Sequence, residues 1–320
     1  MSAMKPLTSV FILALALGLA TVAHAQKKPG KSVDVVTNLL VVDEKGAYVS
    51  GVKQGDVRIY EGGVEQQLTS LVHVDEALDL AFVTDNTGSV RTQMEDVTKI
   101  GKILVANLRD NDSAQVIRFV GRDNVSIEQV WTNNRASLVE AFDDMFVEGG
   151  QSAVIDALYL ASEDILKRYK QYPSRRYAVV LISDGEDRAS YFEEKELYKL
   201  LAGTPVQIFS ITLAKELPRS FWSLTDNRKT AGWVVKFVNR LAAHSGGTSY
   251  VLREKSTKDD LTQALKALLT ELRSQYLIKY TASDVTKENN VRKLAATVAD
   301  GPNGEKRTAY IKSEVVLVPQ

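Results

Sequence analysis

Five oxygen-bearing side chains, spread over three short segments of the sequence, could together hold a divalent cation. Asp85, Thr87 and Ser89 lie in the segment DNTGS, Ser152 lies in GGQSAVIDAL, and Asp184 lies in SDGED. Two carboxylates and three hydroxyls form an all-oxygen donor set, which suits a hard cation such as Mg²⁺. These residue types therefore predict cation binding, provided that the fold brings the three segments together.

Two of the three segments follow predicted strands that are apolar almost throughout. Residues 78–84 read LDLAFVT and residues 177–183 read YAVVLIS, which is typical of strands buried on both faces of a sheet. Ligands of open α/β sheets bind beyond the carboxyl ends of the strands. We therefore expect Asp85 and Asp184 at one rim of a sheet, with Ser152 near them in a loop before a helix.

The elements around these segments alternate between strand and helix, which predicts βαβ units and a Rossmann-like, doubly wound, mostly parallel sheet. Residues 125–131 are expected to form an antiparallel edge strand. The predicted helices are 90–108, 135–145, 155–169, 193–201, 234–244 and 259–275, and the other predicted strands of this region are 114–119, 206–213 and 248–252.

Patterns typical of β-strands precede and follow this α/β region. Residues 33–76 contain three or four predicted strands, of which the last spans 66–74, and residues 276–320 contain three more, of which the last spans 309–318. Alternation of apolar and polar residues and Gly-rich turns support these predictions. The hypothesis is that the two flanks pair into one small β-sandwich, with the α/β region, residues 77–275, inserted between them.

The first 25 residues have the pattern of a secretory signal peptide. Lys5 supplies a positive charge, residues 7–20 are apolar, and Ala23-His24-Ala25 is a small-x-small cleavage site. The apolar run is short for a bilayer span of about 20 residues, which disfavours an uncleaved anchor, and no later segment is apolar enough to span a membrane. We expect cleavage after Ala25, a linker over 26–32, and a secreted or periplasmic mature protein.

Composition excludes several classes of function. The 320 residues include 40 Lys and Arg against 40 Asp and Glu, and no cysteine. The balanced charge argues against nucleic-acid binding, which normally needs a basic surplus. The absence of cysteine removes disulfides, thiolate metal sites and cysteine nucleophiles, so an exported fold must be stable without disulfides.

The segment Asp85-x-Thr87-x-Ser89, with Ser152 and Asp184 later in the chain, resembles the metal-ion-dependent adhesion site of von Willebrand factor A (VWA) domains. That family's pattern is D-x-S-x-S, a later Thr and a later T-D-G. Thr87 stands for the first Ser and Ser152 for the Thr, so each exchange replaces one hydroxyl by another. The resemblance covers about residues 77–275, and the β flanks resemble those of VWFA-related proteins described from acidobacteria.

The resemblance implies a metal-dependent binding module rather than an enzyme. Mg²⁺, with Mn²⁺ or Ca²⁺ as alternatives, would be held by Asp85, Thr87, Ser89, Ser152 and Asp184. Because hydroxyls are neutral, the cation would stay electrophilic and keep an open position. An Asp or Glu side chain of a partner protein could then complete its coordination.

Two other readings of the same residues remain open. The segment DNTGS also resembles the D-K-T-G-T phosphorylation loop of P-type ATPases, in which the Asp is a nucleophile. On that reading Asp85 would belong to a Mg²⁺-dependent phosphohydrolase-like enzyme, although Asn86 replaces the Lys. The other alternative is a metal-free structural scaffold. A serine hydrolase is disfavoured, because G-x-S-x-G is absent and only His73 and His244 follow the predicted signal peptide.

Further polar and aromatic residues receive structural interpretations. Asp156 is expected to order a loop beside the site, and Glu186 and Asp187 are expected to lie in a solvated loop. The pairs Lys167-Arg168 and Arg175-Arg176 are expected to be charges at helix ends. Residues 215–232 form a long predicted connection with aromatic side chains, for which partner contact and simple packing are both open.

Overall fold

The computed structural model describes residues 31–316 except 75, 203, 205, 215–230, 254, 287–288 and 313. The predicted signal peptide 1–25, most of the linker 26–32 and most of the connection 215–232 lie outside the described residues. Residues 31 and 32 of the predicted linker belong to the first strand.

Along the described chain, a region of strands is followed by a region of alternating strands and helices, and then by a second region of strands. The strands are β1 (Lys31–Asp43), β2 (Val57–Glu61), β3 (Val64–Gln66), β4 (Leu68–Val74), β5 (Leu78–Asp85), β6 (Ser113–Gly121), β7 (Asn124–Thr132), β8 (Arg176–Ser183), β9 (Gln207–Ala214), β10 (Ser249–Arg253), β11 (Gln275–Val285), β12 (Val291–Val298), β13 (Arg307–Ile311) and β14 (Glu314–Val316). The helices are α1 (Met94–Ala106), α2 (Arg135–Asp143), α3 (Val154–Gln171), α4 (Glu194–Ala202), α5 (Ala231–Ser245) and α6 (Lys258–Arg273).

A six-stranded sheet forms the centre of the α/β region, in the order β10-β9-β8-β5-β6-β7. Its strands pair in parallel, except that β7 is antiparallel to β6 at one edge. Every residue of β5, β8 and β9 is buried, because helices cover both faces of a doubly wound sheet. The predicted fold class and the antiparallel edge strand are confirmed.

Two apolar layers hold the helices on this sheet. On one face, Leu80 and Phe82 of β5 pack in a core with α1, α2 and α6. On the other face, Ala81 and Val83 pack with α3, α4 and α5. Alternate side chains of a strand point to opposite faces, so the continuous apolar run in the sequence supplies both layers at once. No helix within the described residues is long and apolar enough to cross a membrane.

The two flanks pair with each other, as hypothesised. One four-stranded sheet has the order β13-β1-β11-β4 and the other has the order β14-β12-β2-β3. In the first sheet β1 and β11 are antiparallel, with Val35 opposite Tyr280. Side chains of both sheets, among them Leu39, Ile59 and Ile278, share one apolar core, so the strands before and after the α/β region form a sandwich.

Two segments predicted as single strands are each divided between the two sheets of this sandwich. The predicted strand 66–74 breaks at Gln67, so that β3 and β4 lie in different sheets. The predicted strand 309–318 breaks after Ile311 in the same way, giving β13 and β14. Strands that change sheets form the corners of a sandwich, and the sequence alternation alone does not locate such a corner.

Asp112, next to the start of β6, ties the base of the sheet to the last helix. Its side chain is 1% exposed and accepts hydrogen bonds from the backbone N–H of Leu78 at 2.9 Å and of Arg109 at 2.6 Å. The guanidinium of Arg273 binds both of its oxygens, with Nη1 at 3.0 Å from Oδ1. Burial alone raises the pKa of Asp112, but these donors outweigh it and hold the pKa below its ordinary 3.8.

We expect Asp112→Asn to remove an acid-sensitive part of the folding stability. A carboxyl group whose pKa is lower in the folded state stabilises the protein fully above its unfolded pKa, and this stability is lost as the pH falls through the folded pKa. The free energy of unfolding of the variant should be about 1.5–3 kcal/mol lower at pH 6, the range for hydrogen bonds to a charged group. In urea unfolding, the difference in stability between the two proteins should narrow as the pH falls below about 3.9, the pKa of an aspartate in the unfolded chain.

The exposed Asp110 provides the control for this experiment. Its side chain is fully exposed and pairs with Arg135 at the surface, so Asp110→Asn should leave the stability almost unchanged at both pH values. A stability gap between wild type and Asp112→Asn that is equal at pH 6 and pH 3 would contradict the proposed role of the charge.

Candidate metal site

The structure brings all five predicted site residues to one rim of the central sheet. Strands β5 and β8 are parallel neighbours, and Asp85 ends the first while Asp184 directly follows the second. Ser152 precedes α3 and lies 3.5 Å from Asp85, measured from Oγ to Oδ2. A cavity of about 400 Å³ opens at this rim, and Ser89, Ser152 and Asp184 are among the residues that line it.

Hydroxyl groups surround the Asp85 carboxylate. Its Oδ1 accepts hydrogen bonds from the backbone N–H of Thr87 at 3.0 Å and from the Thr87 hydroxyl at 2.7 Å. Its Oδ2 accepts from the hydroxyl of Ser183 at 2.7 Å. The hydroxyls of Thr87 and Ser89 are 2.8 Å apart. Asp85 is fully buried, so a cluster of neutral oxygens, rather than bulk water, provides its environment.

The electrostatics of this cluster disfavour two ionised carboxylates in the absence of a cation. Burial raises the pKa of Asp85, and the nearby charge of Asp184 raises it further, while the hydrogen bonds from Ser183 and Thr87 act in the opposite direction. Within the described part of the chain, no basic side chain forms an ion pair with either carboxylate. The donor set therefore fits a hard divalent cation, which would supply the missing positive charge.

The turn after β8 requires glycine beside Asp184. Gly185 has φ of +77°, a region that side chains rarely adopt, and a Cβ atom there would lie 2.7 Å from Val234 and 3.0 Å from Thr212. Its N–H donates to the Ser183 hydroxyl at 2.9 Å, and the N–H of Glu186 donates to Asp184 Oδ1 at 3.1 Å. These contacts hold the Asp184 carboxylate in place at the rim.

Asp156 orders the loop beside the site, as the sequence predicts. It is 3% exposed, and its two oxygens accept the backbone N–H groups of Tyr191 and Phe192, each at 2.8 Å. Asp187 also supports this loop, because it accepts hydrogen bonds from the N–H of Ile155 at 3.1 Å and from the hydroxyl of Ser190 at 2.5 Å.

We expect Asp156→Ala to loosen this loop without unfolding the domain. The N–H groups of Tyr191 and Phe192 would lose their buried acceptor, which costs about 1–3 kcal/mol locally. Amide hydrogen exchange at these two residues should therefore become roughly 10- to 100-fold faster. Asp164→Ala is the matched control on the same helix, since Asp164 accepts from the indole N–H of Trp131 instead. Equal exchange rates at Tyr191 in wild type and Asp156→Ala would contradict this role.

The prediction of a solvated loop at Glu186 and Asp187 was wrong. Glu186 is 7% exposed and forms an ion pair with Arg188, while Asp187 is half-buried by its contacts with the start of α3. Contacts of this loop with the start of α3 therefore shield Asp187 in part, and Glu186 is almost fully buried. Arg188 and Glu186 both line the rim cavity. The sequence did not indicate this position for Arg188, because it depends on contacts between segments that are distant in the chain.

The candidate site depends on hydroxyls as much as on carboxylates. Among the described residues, no group of three or more His, Cys, Asp or Glu side chains is placed to hold a metal ion. The two histidines considered in the sequence contact aromatic rings instead. The ring centroids of His73 and Tyr48 are 5.8 Å apart, and His244 stacks on Tyr198 with their ring centroids 4.0 Å apart.

Part of the α/β region is similar to a known domain family. Residues 80–186 match the family model of the von Willebrand factor type A domain, whereas a comparison with the curated proteins finds no match.

Similar solved structures include BatB from Bacteroides thetaiotaomicron, with 15% identity over 61% of this chain and 98% of that chain and a TM-score of 0.46. A von Willebrand factor type A structure from Catenulispora acidiphila has 14% identity over 91% of this chain and 74% of that chain, with a TM-score of 0.45. Proximal thread matrix protein 1 from the mussel byssus has 16% identity over 68% of this chain and 50% of that chain, with a TM-score of 0.46. The matched residues include every candidate ligand from Asp85 to Asp184, so the similarity to the von Willebrand factor type A domain covers the whole candidate site.

Proposed function

We propose that this protein is an extracytoplasmic binding module that uses a bound divalent cation to engage a carboxylate of a protein partner. VWA domains are generally modules of protein interaction. The observation that carries the proposal is the pair of carboxylates, Asp85 and Asp184, held at one rim among hydroxyls and without a basic partner in the described residues. Mg²⁺ suits this donor set, and Mn²⁺ or Ca²⁺ are alternatives.

The five side chains would have distinct tasks in such a module. Thr87, Ser89 and Ser152 offer neutral oxygens, so the cation would keep much of its charge for an incoming ligand. The rim cavity of about 400 Å³, which Ser89, Ser152 and Asp184 help to line, would give a partner side chain access to the cation. A partner Asp or Glu side chain could enter there, and this is the interaction that we propose.

The export part of the proposal rests on the sequence of residues 1–25. Their charge, apolar run and small-x-small site are typical of a cleaved signal peptide. Mass spectrometry of the protein recovered from the periplasm or the medium should find Gln26 at its N-terminus. Recovery of the intact N-terminus from the cytoplasm would contradict export.

The geometry supports binding better than phosphoryl transfer. A nucleophilic Asp85 would have to reach a phosphate, but its side chain is fully buried, and both oxygens accept hydrogen bonds from neighbouring hydroxyls. The described residues that line the rim cavity include Ser89, Ser152 and Asp184 but not Asp85. We therefore propose that the protein is not an enzyme, and a panel of phosphate esters with Mg²⁺ should show no release of phosphate.

Capture of partners from extracytoplasmic fractions tests the binding function. The mature protein is immobilised and incubated with these fractions in Mg²⁺ or in EDTA, and a second sample of each fraction has its carboxylates blocked by amidation. We expect capture in Mg²⁺ alone, loss of capture after amidation, and no capture by Asp184→Asn. The matched control is Asp143→Asn, which removes an exposed acid that pairs with Lys102. Equal capture in EDTA would contradict the proposal and favour a metal-free scaffold.

A further inference from the structure

A second cavity lies at the opposite end of the central sheet, between the sandwich and the α/β region. Its volume is about 370 Å³, and its lining includes Val36 and Leu277 of the sandwich together with Arg176 and Gln207 of the α/β region. Arg176 begins β8, whose other end leads to Asp184, so this cavity is separate from the candidate metal site. Small-molecule sites commonly occur at domain interfaces and have volumes of about 300–1,000 Å³.

One buried cation in this cavity is Arg176. Arg176 is 7% exposed. Its guanidinium donates hydrogen bonds to the backbone carbonyl of Leu272 at 2.5 Å and to the side-chain amide oxygen of Gln207 at 3.0 Å. Both acceptors are neutral. Burial lowers the pKa of Arg176 to about 10, with a further contribution from the positive charge of Arg273, so the folded environment disfavours its charge.

The second buried cation is Lys312, in the short connection between β13 and β14. It is 6% exposed, and its ammonium donates to the backbone carbonyls of Leu201 and Thr204, the latter at 2.7 Å. These acceptors are again neutral, and burial lowers the pKa of Lys312 to about 7. A buried ammonium without a carboxylate partner is costly to the folded state.

The acidic side chains that line the cavity do not balance these two cations. Asp34 forms an ion pair with Lys279, with Nζ 2.6 Å from Oδ2. Glu76 is exposed and acts on Arg176 only through space. Among the described residues, no carboxylate lies within ion-pair distance of Arg176 or Lys312. The cavity therefore combines positive charge with a shortage of counter-charge.

One part of the lining is apolar and could receive a carbon chain. Val36, Pro173, Leu277 and Val315 all border the cavity. Val36 is 54% exposed on the outer face of its sheet, so this part of the lining can be reached from solvent. An anion with an apolar body would match the cationic and apolar parts of the lining at the same time.

We propose that the cleft between the sandwich and the α/β region binds a small organic carboxylate, with its acid group against Arg176 and Lys312 and its apolar body against Val36 and Leu277. The carboxylate would supply the missing counter-charge in a partly desolvated site, where ion pairs are stronger than at the surface. The apolar body would add the favourable free energy of removing apolar surface from water.

Binding of hexanoate, measured by calorimetry at constant ionic strength, tests this proposal. EDTA is present throughout, so that no divalent cation at the other rim can bind the carboxylate. We expect saturable binding by the wild type, and at least tenfold weaker binding by Lys312→Met. Inorganic phosphate, which lacks an apolar body, should bind at least tenfold more weakly than hexanoate.

A matched pair of tryptophan variants separates binding from folding. Val36→Trp fills the cleft from its exposed side, whereas Val72→Trp adds the same bulk to a valine that is 55% exposed on β4 and does not line the cavity. We expect the first variant to lose hexanoate binding and the second to keep it, with wild-type circular dichroism for both. The proposal is overturned by folded wild type that shows no saturable binding, by equal binding in both variants, or by phosphate binding as tightly as hexanoate.

Discussion

Asp85→Asn is expected to abolish the stabilisation of this protein by Mg²⁺. A ligand at 100 times its dissociation constant stabilises the folded state by about 2.7 kcal/mol, which corresponds to a rise of roughly 5–10 °C in the melting temperature for a domain of this size. The wild type should show this rise in Mg²⁺ or Mn²⁺ and lose it in EDTA. The variant keeps the shape of the side chain but removes a negative charge from the proposed ligand set, so its melting temperature should not respond.

The other carboxylate and an unrelated acid complete this experiment. Asp184→Asn should behave like Asp85→Asn, because Asp184 lines the same rim cavity as Ser89 and Ser152 and its charge acts on Asp85. Asp143→Asn should respond to Mg²⁺ like the wild type, since Asp143 pairs with Lys102 at the surface. If Mg²⁺ raises the melting temperature equally in all of these proteins, the cation binds elsewhere and the proposed site is wrong.

Local patterns in the sequence were sufficient to predict where the candidate ligands lie. Asp85 follows an apolar strand directly, and strand ends in a parallel sheet meet at one rim, so the spacing to Asp184 in the chain does not matter. The hydrogen bond from Ser183 to Asp85 could not be predicted from the sequence, because the two residues are 98 positions apart. The burial of Glu186 depends likewise on how its loop packs against α3.

The fold shows the same division between local and distant effects. The apolar run of β5 indicated a buried parallel strand, and the alternation of strands and helices indicated the doubly wound sheet. The breaks at Gln67 and after Ile311 depend on which sheet each half-strand joins. Pairing partners are distant in the sequence, and period-two alternation is the same on either side of a sandwich corner.

Buried charge is the feature that the sequence concealed most. Asp79 lies inside the apolar run of β5 and is fully buried. Arg168 donates to its Oδ2 at 2.5 Å and Arg175 donates to its Oδ1 at 2.7 Å. The prediction that these arginines are charges at helix ends holds for Arg168, which lies in the last turn of α3. It was wrong for Arg175 and Arg176, which lie beyond that helix: Arg175 pairs with Asp79, as Arg168 does, and Arg176 is buried at the base of the sheet.

Asp79→Asn is expected to cause a large loss of folding stability. Removing one partner of a buried ion pair leaves uncompensated charge and costs about 3–5 kcal/mol. The lower end applies here, because the side chains of Arg168 and Arg175 are 21% exposed and water can solvate them in part. Urea unfolding should show a lower midpoint with an unchanged slope, since the surface exposed on unfolding stays the same.

Two further variants show whether burial of the charge is the cause. Asp300→Asn removes an acid that pairs with Lys306 at the surface, and it should cost less than about 1 kcal/mol. Replacing all three partners together, Asp79→Leu with Arg168→Met and Arg175→Met, should restore much of the stability lost in Asp79→Asn, because no buried charge is left without a partner. A triple variant that is less stable than Asp79→Asn would instead assign the stability of this region to the ion pairs themselves.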